Sequence, residues 1–189
     1  MSKAYVGIDL AANPSRCTGY ALIECLNGCE LRSMECLYGD DEIIKELSNL
    51  LSYDRLIVSI DAPLRESTGM RMIDKKLISA GFKVLPPGFK HMRSLTLRAL
   101  KLIEELNSVG IRDIYETHPR SSLLSSRCSS VEELMKGLSI SHKVYDLESA
   151  CDDVRDAVIA SIVSYCIDNG CSLKVEDVDG VVWLIEKVC

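Results

Sequence analysis

Apolar residues recur along this chain with two periods, and the switches between them divide it into elements. "AYVGIDLA" is dense enough in apolar residues for a buried strand. "CTGYALIEC" and "CELRSMECLY" follow as two further strands joined at "LNG", so the chain is read as opening with a three-stranded antiparallel meander. Asp40 stands where it can cap a helix reaching about Ser52, with Ile43, Ile44, Leu47, Leu50 and Leu51 at helical spacing. "RLIVSID" is almost continuously apolar, as a strand covered on both faces should be.

Beyond it, "MRMIDKKLISAG" reads as a helix ending at Gly81, and "LPPG" breaks the chain. A helix from about Arg93 to Ser108 carries Leu95, Ala99, Leu102 and Leu106 on one face. "IRDIYETHP" is a fifth strand with Glu116 at its end, and "RSSLLSSRCSSVEE" reads as a loop leading into a short helix. "DLESACDDVRDAVIASIVSYCIDNG" is a strong helix, and "GVVWLIEKV" a last strand. A meander followed by helix-linked strands makes an α/β fold, with a mixed sheet covered by helices on both faces. The 189 residues suit one domain, 1–189, with a basic helical segment at about 64–108 between the fourth and fifth strands.

Composition narrows the setting. The apolar share of 47% and charged share of 26% are those of an ordinary globular protein, and no apolar run reaches the length of a membrane span. "MSKAY" lacks signal-peptide anatomy, so a cytoplasmic protein without a membrane partner is expected. The nine cysteines form no CxxC pair; most are expected as small core residues in a reducing compartment, with Cys25 and Cys29 facing each other across the hairpin. A net charge of −6 argues against indiscriminate coating of nucleic acid, but it is unevenly spread. Between Arg65 and Lys101 nine basic residues face two acids, which makes that segment +7 and the remainder −13. A basic stretch on an acidic body suggests a confined phosphate site, or simply a solvated helical face.

The candidate chemistry lies in acids placed where apolar runs end. Asp9 sits in the first strand, Asp61 ends the fourth, and Glu116 ends the fifth. A buried carboxylate needs a proton, a cation or a metal as partner. In the last helix Asp153 and Asp156 are i, i+3 neighbours, with Asp152 one residue earlier. Acids in a first helical turn also serve the helix dipole while facing water, yet the following "AVIASIVSYCI" carries no charge and demands burial. If the first and fourth strands are neighbours, these acids gather over one sheet edge. Such a group suits Mg²⁺ or Mn²⁺, two ions about 4 Å apart flanking a phosphodiester. Asp9, Asp61, Asp153 and Asp156 are the expected ligands, and Glu116 joins them as a catalytic candidate.

Five short motifs in order, "GIDLA", "IDAP", "LPPG" followed by "M" and "RA", "ETHP" and "DDVRDA", make the chain resemble a domain-of-unknown-function family of predicted ribonuclease-H-like nucleases. The resemblance spans about Ala4 to Ile185 and implies a ribonuclease-H-like sheet in the order 3-2-1-4-5. It also implies acids at Asp9 and Asp61 and an acid pair at Asp153 and Asp156. The "D-x-x-D" helix is similar to that of the Holliday-junction resolvase branch. Where the family usually has His-Asp-x-x-Asp, this chain has Asp152 at the His position.

The resulting expectation is a nuclease acting on structured DNA or RNA, with a homodimer left open. Asn13, Ser15, Arg71, Lys90, Arg98 and Arg120 are the candidates for holding substrate, with ordinary turn or helix-surface roles as the alternative. His118 can relay a proton or serve a turn. Two other functions compete. "GIDLAANPSRCTG" resembles the first phosphate loop of actin-like and sugar-kinase-like phosphoryl-transfer enzymes, but "IDAPL" lacks the glycine of their second. A non-catalytic binding module would pair its acids with Arg16, Arg71 or Arg155 instead of metal.

Overall fold

Strand β1 (Lys3–Asp9) lies in the middle of a six-stranded sheet, antiparallel to β2 (Thr18–Cys25) on one side and parallel to β4 (Arg55–Asp61) on the other. The computed structural model describes residues 1–85, 88, 90–142, 147 and 149–189. Outward from β2 come β3 (Cys29–Leu37), antiparallel, and the two-residue β6 (Ile140–Ser141). Outward from β4 lies β5 (Ile114–Glu116), parallel. The order β5-β4-β1-β2-β3-β6 contains the 3-2-1-4-5 arrangement expected of a ribonuclease-H-like sheet, with β6 added at the meander edge, in a mixed α/β fold. The helices are α1 (Gly39–Ser48), α2 (Met72–Ser79), α3 (Lys90–Ser108), α4 (Pro119–Ser126), α5 (Val131–Gly137) and α6 (Asp152–Asn169). Strands β7 (Ser172–Asp177) and β8 (Gly180–Ile185) form a separate antiparallel hairpin. Among the described residues no helix is long and apolar enough to cross a membrane.

The period of two in the central strands decides which helix each residue meets. Ala4, Val6 and Ile8 of β1, with Val58 and Ile60 of β4, pack against Ile43 and Leu47 of α1 and Ala99, Leu102 and Leu106 of α3. Tyr5 and Ile57 point the other way, into a core built on α6 by Ala157, Val158, Ile162 and Cys166. The alternation continues to the strand ends: Gly7, Ser59, Asp9 and Asp61 share the face of Tyr5 and Ile57. A third, smaller core (Ile73, Leu77, Val182, Leu184) joins α2 to β8.

Several expectations need correction. The serine-rich stretch after Glu116 is helical over Pro119–Ser126: Pro119 takes the first turn, His118 accepts from the Ser121 amide, and the Ser125 and Ser126 hydroxyls bond back to carbonyls one turn earlier. The last strand does not join the main sheet but pairs with β7, a strand hidden in the polar run "SLKVED"; a single bridge, Thr117 to Trp183, links the hairpin to it. Helix α1 starts after Tyr38, so Asp40 lies in its first turn instead of capping it. Helix α6 starts at Asp152; Asp146 and Glu148, assigned to it from sequence, and Pro86 and Pro87 of "LPPG" lie outside the described residues.

The cysteines are not mostly reduced core residues. Eight pair as disulfides: Cys17–Cys36, Cys25–Cys29, Cys128–Cys189 and Cys166–Cys171. The Cys25–Cys29 bond follows from the hairpin register, which sets these residues opposite each other. The others join positions separated by a strand, a chain end or a helix cap, which spacing alone does not reveal. Cys151 is free and exposed.

Candidate metal centre

Helix α6 runs antiparallel to β1 and β4 and is pressed onto them by small residues. Ser164 donates to the Val6 carbonyl at 2.7 Å and meets the Ser59 hydroxyl at 2.8 Å. A Cβ on Gly7 would fall 2.0 Å from the Ala157 carbonyl oxygen, and one on Gly19 would fall 1.9 Å from that of Asp153. Two residues along a strand cover ~6.7 Å and one helical turn 5.4 Å, so the steps keep pace: Ser59 meets Ser164, Gly7 meets Ala157 and Ser161, and the strand ends meet Asp156. The N-terminal end of α6 thus arrives over the C-terminal ends of β1 and β4, and its dipole favours negative charge there.

Asp9 and Asp61 are paired residues of the parallel β1–β4 ladder, each the last of its strand. One carboxylate oxygen from each of Asp9, Asp61 and Asp156 lies within 4.8 Å of the other two. Burial pushes the Asp9 carboxyl up to about 7, reinforced by the carboxylates of Asp156 and Asp153 and opposed by Arg120. Asp61 is raised well above the carboxylate range, first by burial and then by Asp9, Asp156 and Glu116. Burial raises Asp156 as well, against the pull of Arg120. Three like-charged groups this close stay ionised together only when a cation joins them. The donor set is all oxygen, which fits a hard divalent ion such as Mg²⁺ or Mn²⁺.

The remaining acids are placed differently. Asp153 is exposed and lies outside the trio, beside Asp9 on the wall of a cavity of about 860 Å³ that also takes in Asn13, Arg16, Cys17 and His91. Asp152 faces solvent and pairs with Arg155. Glu116 is 7% exposed and already held: Arg71 donates to its Oε1 at 2.6 Å and its Oε2 at 3.0 Å, and the Leu64 amide donates to Oε2 at 2.8 Å. Burial raises the Glu116 carboxyl while Arg71 opposes it. Glu116 therefore borders the trio as the anchor of an internal ion pair.

Two expected substrate contacts are withdrawn on burial. The Arg71 guanidinium is 4% exposed and divided between Asp74 and Glu116. Arg98 is 8% exposed; it bonds Asp40 at 2.9 Å, Thr18 at 3.3 Å and the Ala11 carbonyl, tying α3 and α1 to the loop after β1. A count of charges along the chain does not tell a buried guanidinium from an exposed one. Lys90 is exposed at the start of α3. Asn13 and Ser15 are exposed in the β1–β2 loop, where the Asn13 side chain accepts the Ser15 amide at 3.0 Å. Arg120 is exposed and reaches the trio, its Nε 3.4 Å from Asp156.

A second cavity, about 750 Å³, opens on the Asp61 side of the trio and takes in Arg120, Asp156 and His118. Burial, and secondarily Arg120, push His118 down to about 4, so it is neutral near pH 7. Its Nδ1 accepts from the Ser121 amide at 3.3 Å, which leaves the ring proton on Nε2 as a donor. The signal for His118 in the sequence is its position two residues after the acid ending β5.

No family model and no curated protein matches this chain. Among solved structures it is similar to T. thermophilus RuvC in complex with Holliday junction substrate, with a TM-score of 0.49 and 13% identity over 96% of this chain and 99% of that one.

Proposed function

We propose that the chain is a divalent-metal-dependent nuclease hydrolysing phosphodiesters of structured DNA or RNA. The observation that carries this reading is the convergence of Asp9, Asp61 and Asp156 from two strands and a helix onto one point, with their oxygens within 4.8 Å. In this reading Asp9, Asp61 and Asp156 hold the cations, two being proposed, and Asp153 stands ready beside Asp9. Bound there, Mg²⁺ or Mn²⁺ supplies positive charge for an attacking water and for the leaving oxygen.

The chain's own residues supply position. Arg120, exposed above Asp156, is the guanidinium best placed to hold a phosphate. Asn13 and Arg16 line the cavity on the other side of Asp9 and can receive the chain leaving the site. Glu116 and Arg71 brace the wall between β5 and α2. The rival reading, a binding module with a relic acidic site, pairs its acids with Arg16, Arg71 or Arg155, and Arg71 does so for Glu116 while Arg155 does so for Asp152. Against it, among the described residues the arginine ion-paired to the trio itself is the exposed Arg120.

The test is cleavage of single-stranded, duplex, hybrid and branched DNA and RNA with Mn²⁺ or Mg²⁺. Removing an outer-shell partner of a metal commonly costs 10–100-fold, so Asp9→Asn or Asp61→Asn should cost more than about 100-fold while leaving the circular dichroism spectrum intact. Absence of cleavage over that panel, together with no Mn²⁺ binding by calorimetry, would rule the reading out.

A further inference from the structure

Cys151, the free thiol, stands against a disulfide. The sulfurs of Cys17, Cys36 and Cys151 all lie within 4.8 Å of one another, while Cys17 and Cys36 are bonded. Two features of the fold hold them there. Gly19, two residues after Cys17, lets the backbone of Asp153, two residues after Cys151, press directly onto β2. Gly19 is also the ladder partner of Cys36 on β3. Cys151 is the N-cap of α6, yet its side chain makes no capping bond, so the sulfur is not engaged by the helix. Neither surface position nor hairpin register requires a third cysteine here.

We propose that this cluster is a thiol–disulfide exchange site, in which Cys151 takes over the bond to Cys17. The Cys151 sulfur, as thiolate, bonds to the Cys17 sulfur, the Cys17–Cys36 bond breaks, and Cys36 leaves as the thiolate and takes up the proton that Cys151 gave. One disulfide and one thiol stand on each side, so no external oxidant or reductant enters. The two bonding states differ in what they tie together. Cys17–Cys36 fastens the end of the β1–β2 loop to β3, whereas Cys17–Cys151 fastens it to the cap of the helix that carries Asp153 and Asp156. Cys17 and Asp153 both line the cavity beside Asp9, so the exchange moves a wall of that cavity. Its consequence for metal binding rests on the nuclease reading; the exchange itself does not.

The three cysteines fall in different tryptic peptides, 17–32, 33–45 and 144–155, so the bonding can be mapped directly. The native protein is held without reductant, its thiols are trapped with N-ethylmaleimide, and it is digested under non-reducing conditions. The expected result is label divided between Cys151 and Cys36, with a cross-linked Cys17–Cys151 peptide, and in Cys36→Ser a complete Cys17–Cys151 bond after exposure to oxidised glutathione. Label on Cys151 alone in the native protein overturns the proposal. Label on Cys17 with a Cys36–Cys151 bond overturns the assignment of Cys17 as the sulfur attacked. Cys151→Ser, which retains the Cys17–Cys36 bond, should lose all label from these three peptides.

Discussion

Asp9 and Asp61 stand side by side as the last residues of neighbouring parallel strands, on the face covered by α6. The sheet brings two carboxylates together before any ligand arrives, and the cost appears in their protonation. In the unfolded chain Asp9 titrates near 3.8; in the folded protein it titrates at about 7. Between those values the native state keeps a proton that the unfolded state has lost, so stability falls as pH rises from about 4 to about 7. Asp61 acts in the same direction. His118, held down to about 4, acts in the opposite direction over part of that range, so the effect is read as a difference. In EDTA the melting temperature of the parent relative to Asp9→Asn is expected to fall as pH rises from about 4 to about 7, and Mn²⁺ at pH 7 to 8 should restore it. A difference that stays level or grows with pH would mean that the trio carries no repulsion.

Arg71 is expected to matter for folding and not for substrate. Its guanidinium is buried between Asp74 and Glu116, and breaking such a pair from one side costs ~3–5 kcal/mol. For a domain of this size that amounts to a melting temperature lowered by more than about 6 °C in Arg71→Met. Glu116→Gln added to Arg71→Met should recover part of the loss, since it removes one of the orphaned charges. Thermal unfolding of the four proteins in the cycle measures it.

Unbroken apolar runs make β1 and β4 readable as strands, and the strand period of two then puts Asp9 on the face of Tyr5 and Asp61 on that of Ile57, so two thirds of the trio is within reach of the sequence. Asp156 is legible too, as the acid in line with Ala160 and Val163 on a helix whose next eleven residues, "AVIASIVSYCI", carry no charge. The fate of the basic residues is hidden. Arg71 meets Glu116 across 45 residues and Arg98 meets Asp40 across 58, and no local pattern says that a carboxylate waits there. Helix α4 is hidden for a different reason: serine favours turns by propensity, but here a histidine cap, a first-turn proline and burial of Ser121, Ser122 and Ser126 override it. Strand β7 escapes because its polar residues face solvent in a two-stranded ribbon with little alternation to read.

Gly19 should be indispensable to the position of α6. A methyl group there would lie 1.9 Å from the Asp153 carbonyl oxygen, a backbone atom that cannot turn aside. Gly19→Ala is expected to cost ~1–3 kcal/mol by overpacking and to weaken Mn²⁺ binding, because the first turn of α6 must lift from β2. Gly28→Ala, whose Cβ would meet open space, serves as the comparison and should change neither quantity. Equal Mn²⁺ affinities for the two variants would show that the trio does not depend on this contact.

Arg120 separates substrate binding from stability. Its side chain is 76% exposed and its pairing with Asp156 spans 3.4 Å, so Arg120→Ala should move the melting temperature very little. The same guanidinium lowers the affinity of Asp9, Asp61 and Asp156 for protons, and by the same field it repels a bound cation. Its removal should therefore raise the pH at which the carboxyl groups ionise, yet tighten Mn²⁺ binding once they have done so, above about pH 8. Toward nucleic acid the sign reverses: a lost phosphate contact weakens binding and reduces the salt dependence by about one unit of slope. Calorimetric titration with Mn²⁺ at pH 8, beside nucleic-acid binding at several salt concentrations, reads both effects. Weaker metal binding in Arg120→Ala would make this arginine a support of the trio instead of its competitor.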